Sequence, residues 1–517
     1  MVGLRGRRAK DVSSYYFLPM VPVALVAVFI VAASIFVVGF RLQLPYPISP
    51  WESGIVTEAW RMRDGLAVYA LGSDHATHMY GPLITILLAG VFEISGPTLL
   101  AGRLVSVLSG AATVVILAAI FGQGSRLAFI LALALLLVAN SRSENYFIET
   151  RPDMGSALFA TLALILLYHG SQSETELSRH WLTVAGTMLL VVAVMFKQTA
   201  ASLMIVPLLA LLAKFDRVLI WKGWKLAAIP IVAVLTALSA IWLFIPGLWR
   251  AMVEVPVQYN VSIPRMGRIA IELLASFPLF ALVLMHWLLT DLHASMQIPR
   301  IRWLISAIVC IVPSSVLACA KSGGTSNSLI PIFLAVGSFC AWRATVVLVM
   351  LRDTRRPLST RIAVGALGSG LLFAQTYPLP GPLTWEALIG GHGTNARALV
   401  IAEARSLEGK VVSPDDPTIA LIAKRYAGRT AVFEADAVKW DTERMQSLWR
   451  EIDLSDYVII MRPGLSANGI ATIKTQAGFA TPAAALLARG FVQIGFESFS
   501  SPNYELWARS HSSEPVE

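Results

Sequence analysis

Two acidic residues stand where this chain should leave a membrane, and both are suited to act on a substrate there. Glu52 comes shortly after the first long apolar segment, and Asp153 ends a later polar stretch, 141–153, that also holds Glu144 and Glu149. One carboxylate can remove the proton of an attacking hydroxyl, while a second positions the substrate or a metal. We therefore take Glu52 and Asp153 as candidate catalytic residues. The alternative for each is an ordinary acid in the first turn of a helix.

Cations on the same side of the membrane are candidates for binding a phosphate. Arg151 is next to the second acidic stretch, and Lys321 lies in a glycine-containing loop that is otherwise a simple flexible connector. Lys197 is on the side where lysines are disfavoured, so it either binds an anion or reaches back to the interface. Tyr80 and Glu149 complete the candidate substrate-binding residues.

A histidine pair follows the first acid. Asp74, His75 and His78 could bind a divalent metal together with Glu52. Mg²⁺ or Mn²⁺ would then be expected before Zn²⁺. The spacing also fits histidines of a solvated loop, and that alternative stays open.

The composition is that of a polytopic membrane protein. Of 517 residues, 56% are hydrophobic and 14% are charged, and the mean hydropathy is +0.67, whereas soluble chains are about a quarter charged. The net charge of +9 comes with basic residues in short loops, as on the cytoplasmic side of membrane proteins, so no nucleic-acid partner is expected. The three cysteines lie in apolar segments and predict neither disulfides nor a zinc site.

About eleven apolar segments are predicted to cross the membrane, where a helix needs about 20 residues. They lie near residues 18–40, 101–121, 127–140, 154–168, 181–196, 200–213, 226–245, 269–290, 303–318, 328–350 and 362–377. The basic N-terminus has no evident cleavage site after it, which predicts an uncleaved first span and a cytoplasmic N-terminus. A bacterial inner membrane is the expected location.

Two interfacial helices are predicted in the first outer loop. Apolar residues recur at helical spacing from Trp51 to Leu66, with polar residues opposite, which predicts an amphipathic helix in the interface. The apolar run 83–94 is too short to span, so it predicts a second interfacial or re-entrant helix with Pro82 in its first turn.

The composition becomes charged and mixed after Pro378. We divide the chain into a transmembrane domain, 1–380, and a small extracytoplasmic α/β domain, 381–517. Short β-rich runs alternate with helical patterns in the second. These runs lie near Val411, Val432, Ile459, Val492 and Leu506. An alanine-rich helix is predicted from Ala480 to Arg489.

Two absences bear on the substrate. The sequence contains no GxxxxGK[ST] motif for ATP-driven transport. It also predicts no sizeable cytoplasmic domain where a nucleotide sugar would bind. A donor used on the outer face would therefore have to arrive on a lipid.

The region from about residue 48 to 207 resembles the GT-C membrane glycosyltransferases, in the branch of the protein O-mannosyltransferases and the lipid A aminoarabinose transferase. The motifs are an acid after the first span (Glu52), Gly65 to Tyr69, the element Tyr80-Gly81-Pro82-Leu83, Arg103-Leu104, Arg151-Pro152-Asp153 and Lys197-Gln198-Thr199. Gly81 stands where the family has a proline.

The resemblance implies an inverting transfer of sugar from a polyprenyl-phosphate donor on the outer face. It makes Glu52 the base, Asp153 a second acid near the acceptor or metal, and Lys197 a phosphate contact. The protein O-mannosyltransferases carry a luminal domain in a later loop that this chain lacks, so a lipid or glycan acceptor is favoured over a protein. The implied fold is a GT-C-like helical membrane protein with a C-terminal α/β domain.

Two other function classes remain as alternatives. A transporter or flippase of a lipid-linked sugar would use similar cationic grooves without chemistry, and charged residues in the middle of spans would favour it. A glycan-binding module with a membrane anchor would need far fewer spans.

The predicted orientation can be tested with reporter fusions. An alkaline phosphatase fused after Arg509 should be active, because the C-terminal region is predicted to lie outside the cytoplasm. A fusion at Arg356, in the most basic loop, should be inactive. The reverse pattern would contradict the orientation of every loop.

Overall fold

Apolar helices form most of the chain before residue 376. The computed structural model describes residues 18–69, 76–143, 146–213, 217–352, 355, 357–375, 392–437, 445–461, 482–496 and 504–510. The helices of the first part are α1 (Val21–Leu42), α2 (Pro50–Arg63), α3 (Leu83–Ser95), α4 (Leu99–Phe121), α5 (Arg126–Ser141), α6 (Pro152–Gln172), α7 (Glu176–Phe196), α8 (Val206–Leu212), α9 (Arg217–Phe244), α10 (Ile263–Ser276), α11 (Pro278–Thr290), α12 (Pro299–Ala320), α13 (Ile330–Arg352) and α14 (Leu358–Gln375). A 3₁₀ segment, Gln198–Ile205, leads into α8, and irregular helical turns occupy residues 246–257.

The chain is a polytopic helical membrane protein. Within the described ranges, seven helices are long and apolar enough to span: α1, α4, α6, α7, most of α9, α12 and α13. The pair α10 and α11, bent by 87°, would make an eighth. Shorter apolar helices stand at the three other predicted spans, so helical structure occurs at all eleven. The count of eleven crossings itself stays a prediction.

The long helices pack side by side around one apolar core. Helix α6 packs along α7 and α4, and α5 packs against α1 and α13. Local sequence places their ends: prolines occupy the first turns of α2 and α6, and the hydroxyls of Thr98 and Ser125 cap α4 and α5. These ends bring the polar loops 43–49, 76–82 and 146–151 together.

The C-terminal region is mixed α/β. Its helices are α15 (His392–Ser406), α16 (Pro417–Lys424), α17 (Ala431–Ala437), α18 (Gln446–Asp453) and α19 (Pro482–Leu487), and its strands are β1 (Val411–Val412), β2 (Tyr457–Met461), β3 (Phe491–Ile494) and β4 (Tyr504–Arg509). The sheet order is β1-β2-β4-β3, with β1 parallel to β2 and the other pairs antiparallel. The α/β pattern was predicted, whereas the boundary near residue 380 lies outside the described residues and stays a prediction.

One predicted strand is a helix. The run around Val432 forms α17, in which Val432 and Phe433 are fully buried against α2. Its aromatic and β-branched pair is typical of a strand, but the flanking alanines and glutamate favour a helix, and packing against another element overrides weak β-propensity.

Helix α2 is enclosed by other parts of the chain, and its position in the membrane interface stays a prediction. Every residue from Pro50 to Trp60 is buried, and α16 and α17 pack against the helix. Arg61 donates to the Ala427 carbonyl at 3.1 Å across this contact. The rest of the polar side is more open, since Asp64 is exposed.

Gly81 lets two segments approach closely. Its backbone N–H donates to the Phe196 carbonyl, and a Cβ at this position would lie 1.8 Å from the Met195 carbonyl oxygen. Any side chain would push the 76–82 loop off the end of α7. The glycine thus holds Tyr80 next to Lys197.

Gly81→Ala should therefore lower the thermal midpoint of the protein in detergent strongly. Gly90→Ala is the matched control: Gly90 lies in α3 with open space around its Cβ position, so alanine should be neutral or stabilising by about 0.5–1 kcal/mol. Equal midpoints for both variants would contradict the close approach.

Candidate active site

Three buried ion pairs lie where the polar loops meet the helix ends. They join Arg103 to Glu52, Arg151 to Glu149, and Lys197 to Asp153. All six side chains are less than a tenth exposed. Charges this deep in a protein are costly unless each has a well-placed partner, so the pairing governs what each residue can do.

Glu52 and Arg103 form a bidentate pair without exposed surface. The Arg103 Nε donates to Glu52 Oε1 at 2.8 Å, and Nη2 donates to Oε2 at 2.7 Å. Glu52 also accepts from the Ile48 N–H and from both the N–H and the hydroxyl of Thr150. The remaining guanidinium donors bind main-chain carbonyls, including those of Leu44 and Tyr46.

This geometry is an obstacle to the predicted base role of Glu52. Its carboxylate accepts five hydrogen bonds and borders neither of the pockets described below. A base needs a free lone pair within reach of the acceptor hydroxyl. In this arrangement, Glu52 fixes the loop between α1 and α2 and the loop before α6.

Arg151 is held between an acid and aromatic rings. Its Nε donates to Glu149 at 2.8 Å, its Nη1 donates to the Tyr80 hydroxyl at 3.2 Å, and the guanidinium lies over the ring of Tyr146. Burial raises the pKa of Glu149, and the charge of Glu52 adds to this while Arg151 opposes it. Burial works against the charge of Arg151, but Glu149 raises its pKa above the usual value, so it stays a cation.

Lys197 and Asp153 form the third pair, at the end of α7 and the start of α6. The lysine Nζ donates to Asp153 Oδ1 and lies 5.9 Å from the centre of the Tyr80 ring. Among the described residues, Asp153 Oδ2 has no hydrogen-bond partner, although it is buried. A buried acceptor without a partner is costly, so this oxygen is ready to accept a bond from a ligand.

A polar pocket of about 150 Å³ collects most of the predicted binding residues. Tyr80, Arg151, Lys197 and Lys321 all line it. Lys321 is not in a loose connector, since Arg265 donates to the carbonyls of Lys321 and Gly324. The Lys321 Nζ donates to the Pro256 carbonyl at 2.9 Å, and burial lowers its pKa.

An apolar pocket of about 110 Å³ adjoins the polar one. It runs between α6, the 3₁₀ segment, α12 and α13, and is lined mainly by alanine, leucine and isoleucine with several serines. Asp153 borders it, while Lys197 and Thr199 border both pockets. The lysine therefore lies between an apolar pocket within the helices and a cationic pocket at their ends.

Comparisons with known proteins agree with this architecture. The profile of the dolichyl-phosphate-mannose-protein mannosyltransferase family matches residues 74–246. The structure of ArnT from Cupriavidus metallidurans bound to undecaprenyl phosphate superposes with a TM-score of 0.58 at 14% identity, covering 94% of this chain and 99% of that one. The archaeal oligosaccharyltransferase AglB from Archaeoglobus fulgidus gives 0.50 at 12% identity, covering 98% and 75%. No curated protein sequence matches.

The chain has the GT-C fold of membrane glycosyltransferases. This confirms the resemblance drawn from the sequence. The segment matched by the family contains Tyr80, Arg103, Arg151, Asp153 and Lys197. Glu52 and Lys321 lie outside that segment, so their roles depend on the geometry of this chain.

The predicted metal site stays a prediction, although its described histidine, His78, is already engaged by other groups. His78 Nδ1 accepts from the Tyr80 N–H, and Nε2 lies 2.7 Å from the Thr85 hydroxyl. Both ring nitrogens are thus engaged, and burial lowers the pKa of His78 to about 4. Asp74, His75 and Glu144 lie outside the described residues, and the described part of the chain has no group of three His, Cys, Asp or Glu side chains arranged as ligands.

Several site residues were not singled out from sequence. Arg103 was noted only as part of a motif, although it binds the fully buried Glu52. Trp51, Tyr259 and Asp436 also line the polar pocket. Asp436 comes from the C-terminal region, where no local motif indicates that it reaches the membrane part.

The role of the Glu52–Arg103 pair can be tested with a double variant. Glu52→Gln leaves Arg103 buried without its counter-charge and should destabilise the fold by about 3–5 kcal/mol. Adding Arg103→Met removes the stranded cation and should recover part of the thermal midpoint and of the activity. If Glu52 were the base, the second substitution could not restore activity. A double variant that regains stability without activity would therefore indicate that Glu52 takes part in the reaction.

Proposed function

We propose that this protein is an inverting glycosyltransferase. It moves a sugar from a polyprenyl-phosphate donor to a hydroxyl of a lipid or glycan on the extracytoplasmic face of a bacterial inner membrane. The observation that carries the proposal is the position of Lys197, between an apolar pocket within the helices and a pocket with two further cations. An isoprenoid chain suits the first pocket, and a phosphate suits the second.

The structural relatives support the same donor class. ArnT was solved with undecaprenyl phosphate, and AglB with a dolichol phosphate. Both ligands join a long apolar chain to one phosphate. An apolar pocket next to a pocket lined by cations is complementary to such a molecule.

Three cations would bind and stabilise the phosphate. Lys197, Arg151 and Lys321 line one pocket, so a phosphate there can contact more than one of them. When the bond between the sugar and the phosphate breaks, its electron pair goes to the phosphate oxygen, and fixed cations stabilise the charge that develops. The Arg151 fork can bind two phosphate oxygens, whereas Lys197 acts as a point charge.

Asp153 is the carboxylate we assign as base. Its Oδ1 pairs with Lys197, and its Oδ2 is the buried acceptor without a partner among the described residues. A donor phosphate that binds the Lys197 ammonium competes with Asp153 for it and frees the carboxylate. Asp153 then accepts the proton of the acceptor hydroxyl, whose oxygen bonds to the anomeric carbon from the face opposite the leaving phosphate, which inverts that centre.

Glu52 and Glu149 act through their arginines in this scheme. Glu52 keeps Arg103 and the 43–49 loop in place, and Glu149 holds Arg151 against Tyr80. Neither lines the apolar or the polar pocket. They are positioning residues here, which revises the base role inferred for Glu52 from the resemblance.

Variants at two residues separate chemistry from donor binding. Asp153→Asn should lower the transfer rate by about 10²–10⁴-fold, while binding of polyprenyl phosphate is unchanged or tighter because a negative charge is removed. Lys197→Ala should weaken that binding, and Lys197→Arg should restore only part of it. The measurements are transfer from radiolabelled polyprenyl-phosphate sugars and lipid-phosphate binding, both in nanodiscs, with product anomeric configuration read by NMR.

Exposed residues of the same type serve as controls. Asp64→Asn and Lys225→Ala change side chains that border neither pocket and should leave both measurements unchanged. Wild-type protein that binds the lipid phosphate but forms no product with any sugar donor would instead indicate a transporter. Normal transfer by Asp153→Asn would remove Asp153 from the mechanism.

A further inference from the structure

The polar pocket has a wall that is unlike its cationic side. Trp51, Tyr259 and Asp436 line it together with the cations, and we call these three residues the acidic wall. They come from α2, from the stretch after the irregular turns 246–257, and from α17. Three distant parts of the chain therefore meet at one carboxylate.

Asp436 is held in a fixed direction at this wall. The Trp51 indole N–H donates to its Oδ2 at 3.3 Å. The Tyr259 hydroxyl donates to its main-chain carbonyl at 2.8 Å and lies 3.4 Å from Oδ1. Asp436 is 6% exposed, so these contacts orient a largely desolvated charge that borders the pocket.

A carboxylate at this place does not suit the phosphate. It repels an anion, and its position in a pocket with three cations would weaken phosphate binding. It does suit groups that donate hydrogen bonds, such as sugar hydroxyls or an amino group on the sugar. The flat face of a tyrosine suits the C–H face of a sugar ring, whereas the Trp51 ring already has the Arg151 guanidinium over it, 5.1 Å from its centre.

We propose that the acidic wall binds the sugar of the donor, with Asp436 accepting hydrogen bonds from its hydroxyl or amino groups. The proposal rests on the proposed function and adds to it a substrate contact from the C-terminal region. In a polyprenyl-phosphate sugar, the ring is one bond away from the phosphate. Cations for the phosphate and a carboxylate for the ring within one pocket of about 150 Å³ match that arrangement.

Tyr80 connects the two sides of the pocket. Burial raises the pKa of its hydroxyl, Arg151 lowers it, and the charges of Asp153 and Asp436 raise it further. The charge of Asp436 thus affects the same Tyr80 hydroxyl that accepts a hydrogen bond from Arg151. A sugar that bonds Asp436 would lie close to the phosphate-binding cations.

Lipid phosphates that differ only in the attached sugar test the proposal. Binding of polyprenyl phosphate and of the same lipid phosphate carrying a hexose, a pentose or an aminopentose is measured on full-length protein in nanodiscs. Asp436→Asn should weaken the recognised sugar ligand by about 10–100-fold, as expected for a charge-assisted hydrogen bond. Binding of the sugar-free lipid phosphate should stay unchanged or become slightly tighter.

Further variants separate sugar binding from a structural role. Trp51→Phe keeps the ring and removes the N–H that orients Asp436, so it should give a smaller loss that is also specific to the sugar ligand. Asp453→Asn is the control, because this aspartate is exposed and pairs with Arg489 at the surface. The affinity for sugar-free lipid phosphate reports in each variant whether the cationic side is intact.

Specific outcomes would overturn the proposal. Equal losses for both ligands in Asp436→Asn would mean that Asp436 only holds the C-terminal region in place. No loss for any sugar ligand would remove it from recognition. Both results leave the proposed function standing, provided that wild-type protein binds the lipid phosphate and transfers sugar, whereas wild-type protein that binds neither ligand would refute both.

Discussion

The buried pair of Glu52 and Arg103 is the contact on which the polar end of the molecule depends. Removing two charges from water costs several kcal/mol each, and only close bidentate geometry with further hydrogen bonds offsets this. Here the pair also binds loop main chain on both sides, at Ile48, at Tyr46 and at Thr150. The ion pair thus fixes the path of the chain as it leaves α1 and as it enters α6.

The C-terminal region holds the same loop from the other side. Arg397 donates to the Pro45 carbonyl at 2.9 Å while it pairs with the buried Asp416. The 43–49 loop therefore lies between two arginines, one from α4 and one from α15. Helix α2 follows this loop and is enclosed by α16 and α17, so Trp51 in its first turn meets Asp436. Movement of the C-terminal region would change the polar pocket, and for this reason the region belongs to the site.

Hydropathy and local motifs predicted the features of the structure that depend on residues close together in the sequence. The helices stand where the apolar segments are, and Tyr80, Arg151 and Lys197 share a pocket because each lies at the end of an apolar segment on the same side. Pairings between distant residues left no such signal. Nothing near Asp436 indicates Trp51, which is 385 residues away in sequence. The same limit applies at Glu52: the acid was recognised from the sequence, but its ion pair with Arg103 depends on a helix packing that no local pattern encodes.

The arrangement of charges also explains why the proposed site for an anion contains so many carboxylates. Arg151 and Lys197 are buried, and without ligand each needs a counter-charge, which Glu149 and Asp153 supply. In the proposed mechanism, a donor phosphate competes with a carboxylate that already holds its cation, so part of the binding energy is used to break that pair. Where the broken pair is the one at Asp153, the released carboxylate is the group that the proposed transfer uses. Donor binding and release of the base are then one event, and the base stays paired with Lys197 until a donor phosphate is in place.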